Sequence, residues 1–114
     1  MAKEAKSLAV FDESGEYFVV SSLGIRIRIL AIGWKLISEI KHPDLEGKLI
    51  SVFETLKKPD VVLVSDQSKE IFLYHKKFRD KYLRVVCRHY NKEGFLITAH
   101  YIKKPKGGKK YVKN

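Results

Sequence analysis

Residues 82–102 read YLRVVCRHYNKEGFLITAHYI, and side chains able to hold an anion recur here at strand spacing. Arg84 and Arg88 offer guanidinium donors, Thr98 a hydroxyl, His100 an imidazole and Tyr90 a phenol. In a β-hairpin successive side chains alternate between faces, and all five then fall on one face with Val86, Leu96 and Ile102. Such a face is either solvated sheet surface or a platform for a negatively charged ligand.

The other reactive residues narrow the chemistry. His42, His75, His89 and His100 show no HxxxH spacing, no CxxC pair exists, and no glycine-rich phosphate loop is present, so neither a metal nor a cofactor is expected. Cys87, the single cysteine, falls on the apolar face of the hairpin as a small buried hydrophobe and cannot form an internal disulfide, which fits a reducing compartment. His42 stands at a helix break, in front of Pro43.

The elements that must position these residues follow from the same patterning. Asn91-Lys92-Glu93-Gly94 reads as a type I turn closed by a glycine bulge, which sets Arg88 opposite Thr98 and Cys87 opposite Ala99. Leu83, Val85, Cys87, Phe95, Ile97 and Ala99 then form the core face. Upstream, residues 8–20 (LAVFDESGEYFVV) suggest an N-terminal hairpin, and 25–30 (IRIRIL) an alternating strand. A short helix spans 33–41 and stops at Pro43, because a residue preceding proline disfavours the helical conformation. The apolar spacing of Leu45, Leu49, Val52, Phe53 and Leu56 predicts a longer helix over 44–57, ended by Pro59. Segments 61–66 and 71–78 read as strands. The register of the second is open: one pairing sets Tyr74 and Lys76 on the arginine face, and a slip of one residue substitutes His75 and Lys77.

With 114 residues, 45% of them hydrophobic, the chain can bury the core of a single domain, expected over 1–104. The formal net charge of +10 is one-sided: residues 1–57 hold eight basic and eight acidic side chains, whereas 58–114 hold fifteen and five. That field favours a polyanionic partner, with nucleic acid first. Residues 105–114 belong to a lysine-rich stretch, KKPKGGKKYVKN, that reads as a disordered basic tail attracted to phosphate. The charged N-terminus and the lack of a long apolar run point to a soluble, cytoplasmic protein without a membrane segment.

The order of short motifs adds a further expectation. WKLISEIKHPDL (34–45), TLKKPD (55–60), YHKK (74–77), LRVVCR (83–88) and GFLITAHY (94–101) together resemble the phage-associated nuclease-fold domains of the barnase, EndoU, colicin and RelE-like (BECR) group. The resemblance spans about residues 25–104. It implies an α+β fold in which helices cover one face of an antiparallel sheet and the other face binds RNA, with metal-independent ribonuclease activity in phage, toxin or defence settings. By position it assigns His42 to the histidine of the family's His-Pro-acidic motif, Tyr74 and Lys76 to its middle strand, Arg88 to its basic residue and Thr98 to its late threonine. Leu36 and His100 depart from the family, which often has histidine and tyrosine there.

The implied reaction is attack of an RNA 2′-hydroxyl on the neighbouring phosphate, which needs a base near neutral pKa and cations for the developing charge. His42 is then the general base or acid, Arg88 and Lys76 stabilise the phosphorane, and Thr98 holds a phosphate oxygen. Tyr74 and His100 orient substrate or supply the second proton transfer, and Arg84 contributes to substrate binding. The rival is a non-catalytic RNA-binding module that stacks bases on Tyr74, Tyr90 and Tyr101. A ribosome-directed or antitoxin-bound surface is the third expectation.

Overall fold

The apolar runs assemble into one sheet, which a computed structural model of the chain describes over residues 15–112. In chain order the elements are β1 (Glu16–Val20), β2 (Arg26–Leu30) and helix α1 (Ala31–Leu36), which runs into a π-helical turn (Ile37–Lys41). A 3-10 turn (Pro43–Leu45), helix α2 (Leu49–Lys57), β3 (Val61–Ser65), β4 (Ile71–Phe78), β5 (Lys81–Tyr90), β6 (Glu93–Ile102) and β7 (Gly108–Lys110) follow. The sheet order is β1-β2-β6-β5-β4-β3-β7. The fold is α+β, but the sheet is mixed rather than antiparallel, because β2 runs parallel to β6 and pairs Arg26 with Glu93 and Arg28 with Phe95. No described helix is long and apolar enough to cross a membrane.

The core lies between α2 and one face of the sheet. Leu45, Val52 and Leu56 pack with Leu83, Val85, Cys87 and Ala99, all fully or almost fully buried. Tyr74 is buried in the same layer, where its hydroxyl donates to Ser21 Oγ at 2.9 Å and lies 3.1 Å from His89 Nε2. With the phenolic proton given to Ser21, that second contact requires His89 to carry its own proton on Nε2. The predicted helix over 44–57 is interrupted: Gly47 adopts a φ of +76°, and only Leu49–Lys57 is α-helical. Leu45 still reaches the core from the 3-10 turn, which is why the apolar spacing looked continuous.

The hairpin exists where the sequence placed it, with another register. Asn91 and Lys92 form a two-residue loop between paired Tyr90 and Glu93, Asn91 taking a φ of +56° that asparagine tolerates. Further along, Cys87 pairs with Leu96 and Val86 with Thr98, so Ile97 is an extra residue, a β-bulge. The two-residue turn sets Phe95 on the face of Arg88, and the bulge restores the expected faces from Thr98 onward while leaving Ile97 out of the core, so that Phe95 and Ile97 are 38% and 39% exposed. Leu96 packs on the core instead.

β1 pairs with β2, Glu16 opposite Leu30; residues 8–14 of the expected N-terminal hairpin lie outside the described residues. The stretch expected to be a disordered tail includes β7, which pairs with β3 (Leu63 opposite Lys110, Ser65 opposite Gly108). To reach that edge, residues 103–107 cross the helix-free face of β5 and β4. Glycine makes the docking possible: Gly107 has a φ of +93°, and a side chain at Gly108 would run into the Val64 carbonyl.

Candidate active site

Strand alternation and register build the site. On the helix-free face His75 of β4 stands opposite Arg84 of β5, and Arg84 stands opposite His100 of β6. These three side chains form a row across adjacent strands. The π-helical turn delivers a fourth. His42 N–H donates to the Ile37 carbonyl at 2.8 Å, five residues back, and the following proline forces His42 out of the helix at φ −138°, ψ 75°. Its ring then lies 5.5 Å from that of His100, tilted by 32°.

Hydrogen bonds fix the row. Arg84 Nε donates to His75 Nε2 at 3.0 Å, and an Arg84 terminal nitrogen donates to the Lys106 carbonyl of the crossover. His75 is therefore neutral and carries its proton on Nδ1, which has no hydrogen-bond partner among the described residues. Burial, with Arg84 second, lowers its pKa to about 4. Such a histidine positions the arginine and does not exchange protons at neutral pH. His100 is only half-buried; burial, then Arg84 and His42, lower its pKa, while Asp44 opposes them. Its neutral form is thereby favoured, as a base requires. Arg84 keeps guanidinium donors beyond the two that are engaged. Among the described residues no three His, Cys, Asp or Glu side chains converge in metal-binding geometry.

Of the residues expected from the sequence, His42, Arg84 and His100 come together, with Thr98 one row along on the same face, opposite Val86. Arg88 does not pair with Thr98; it faces Phe95 and forms an ion pair with Glu70 Oε1 at 2.6 Å. Four residues along β5 from Arg84, it is roughly 13 Å from the row. Tyr74 and Lys76 point to the helix side of the sheet, Tyr74 in the core and Lys76 Nζ donating to the Lys58 carbonyl at 3.0 Å. The slipped register, Phe78 opposite Lys81 around the two-residue loop Arg79-Asp80, is the one formed, and it brings in His75. The sequence signal for that choice was weak, because Leu73 and Tyr74 serve equally well as core residues.

A cleft of about 370 Å³ opens between α1 and β6. Trp34, Ile37 and Lys41 form one wall, and Phe95, Leu96 and Ile97 the other. Lys41 and Ile97 of this lining are the chain neighbours of His42 and Thr98, which do not themselves line the cleft. Lys103, Lys104 and Lys106 of the crossover add exposed positive charge on the other side of Arg84. Two imidazoles at one edge, with a guanidinium held across from one of them, can move two protons around a single bound anion. Compared with protein-family models, curated proteins and solved structures, the chain finds no match in any of the three, so the residues and their geometry alone carry the functional reading.

Proposed function

We propose that this protein is a metal-independent endoribonuclease in which His42 and His100 exchange protons with the substrate and Arg84 holds the scissile phosphate. The observation that carries the reading is the 5.5 Å approach of the His42 and His100 rings beside an arginine aligned by a buried histidine. Neutral His100 takes the proton from the RNA 2′-hydroxyl as that oxygen attacks phosphorus. His42, in its protonated form, delivers a proton to the departing 5′-oxygen. The free donors of Arg84, with the Thr98 hydroxyl, meet the charge that builds on the non-bridging oxygens. The products are a 2′,3′-cyclic phosphate and a 5′-hydroxyl.

The test uses end-labelled single-stranded RNA in excess chelator. Wild-type protein should leave 2′,3′-cyclic phosphate and 5′-hydroxyl ends and spare an all-deoxy oligonucleotide of the same sequence. His42→Ala and His100→Ala should each lower cleavage by about 10²-fold or more while RNA binding is retained. Intact RNA with wild-type protein, or full activity in both variants, would refute the assignment. The second reading, a non-catalytic RNA-binding module, draws on the exposed Tyr90–Phe95 ring pair, 6.0 Å apart, and on Arg26 4.0 Å over the Phe18 ring. Tyr74, being buried, cannot serve as one of its stacking residues.

A further inference from the structure

The cleft between α1 and β6 has walls that a soluble protein usually closes. Leu36 is 46% exposed and Ile97 39% exposed, and Trp34 is only partly covered. The opening arises because β2 stops pairing with β6 at Phe95 and turns into α1, while β6 continues for seven more residues. At Ile97 the bulge also removes the ladder partner on the β5 side. The floor is therefore apolar, with Ile97 standing at the bulge without a Cα partner in the β5 register. At the rim stand two cations: Lys41, which is exposed, and Arg28, whose 3.6 Å contact with Glu16 is a half-exposed ion pair that an arriving phosphate can displace.

An aromatic wall, an apolar floor and cations at the mouth are what an unpaired base with its phosphate needs: a ring to lie against, apolar surface to cover its face, and charge for its backbone. Position adds to this. Ile97 and His100 are three residues apart on β6, roughly 10 Å, so a base seated here belongs to a nucleotide next to a phosphate at the histidine pair. We propose that the α1–β6 cleft is the pocket for one unpaired nucleobase of single-stranded RNA, packed between Trp34 and Ile97 with Lys41 and Arg28 at its phosphate. This rests on the ribonuclease reading for the neighbouring site, but the pocket can be tested without it.

Trp34 is the only tryptophan, so its emission reports on the cleft directly. The intact protein is titrated with a non-cleavable 2′-O-methyl hexanucleotide and, separately, with nucleoside 3′-monophosphates, and binding of the labelled oligonucleotide is followed in parallel by anisotropy. Saturable quenching is expected, with the same midpoint as the anisotropy change. Ile97→Glu, at an exposed position that tolerates the change, should weaken binding and raise KM for cleavage by about tenfold or more with kcat little altered. Lys41→Glu should weaken binding in the same direction and reduce its salt dependence. Oligonucleotide binding without any change in Trp34 emission, or unaltered affinity in Ile97→Glu, overturns the pocket and leaves the apolar cleft to a protein partner. RNA cleavage that continues in that case preserves the ribonuclease reading. Quenching that persists in a His42→Ala protein cleaving as wild type preserves the pocket and sinks the catalytic assignment.

Discussion

Acidification from pH 7.5 to 5.0 should cost this fold about 4 kcal/mol, and two buried histidines set that figure. His75 is 0% exposed and His89 8% exposed; burial lowers the pKa of each from the ordinary 6.5 to about 4. In the unfolded chain both take up protons below pH 6.5, whereas in the folded protein they resist until about pH 4, so the unfolded state binds more protons throughout that window. Stability is therefore complete above pH 6.5 and falls as the pH drops towards 4, by about 2 kcal/mol for each histidine between pH 7.5 and 5.0. Against a total of 5–15 kcal/mol for a typical domain, this is a large share. Urea unfolding followed by far-ultraviolet circular dichroism at the two pH values measures it, and pH 5.0 stays above the range in which ordinary carboxylates titrate. His89→Phe keeps the ring stacked on Phe72, whose centroid lies 3.8 Å from that of His89, and should remove about half of the pH dependence. An equal stability of the wild type at both pH values, or an unchanged slope in His89→Phe, would show that these histidines are not held neutral by the fold.

Arg84→Ala should reduce RNA cleavage by about 10²–10³-fold, as loss of a charge-stabilising donor does in comparable sites, whereas Arg88→Ala should stay within about fivefold because its surface ion pair with Glu70 is worth at most ~1 kcal/mol. Equal effects in steady-state kinetics would move the site back along β5. Removing residues 104–114 should destabilise the domain by ~2 kcal/mol or more, since it uncovers Leu73 and deprives Arg84 of the Lys106 carbonyl. An unchanged thermal midpoint would return this stretch to the role of a detached tail.

The parts of this design that the chain announces locally were legible in its sequence. Proline after His42 disfavours helix at that histidine by a purely local clash, and the alternation of residues 82–90 leaves little choice of face. The bulge was not legible, because Phe95, Leu96 and Ile97 are all apolar and any of them can enter a core. Both departures reached the site: the two-residue turn moves the partner of Arg88 from Thr98 to Phe95, and the one extra residue beyond it sets His100, rather than Ala99, opposite Arg84. The lysine-rich stretch misled for a related reason. Composition tells against a buried segment, but an edge strand needs only backbone groups and, at Gly107 and Gly108, room to approach.

The parallel seam between β2 and β6 also dictates the order in which this protein can be built. β3, β4, β5 and β6 form a meander of neighbours in sequence, and β1 with β2 forms another local unit, whereas Arg26 meets Glu93 across 67 residues. Contacts that close such long loops form late, because chain entropy must be overcome before they repay it. The meander already contains His75, Arg84 and His100; His42 rides on the segment that follows β2 and arrives only when the seam closes over Gly94, where an added side chain would press on Ile27 and Ile25. If that seam closes late, as its loop length favours, the meander and its aligned arginine form before His42 is brought beside His100, and the proposed site is completed only with the long-range contact.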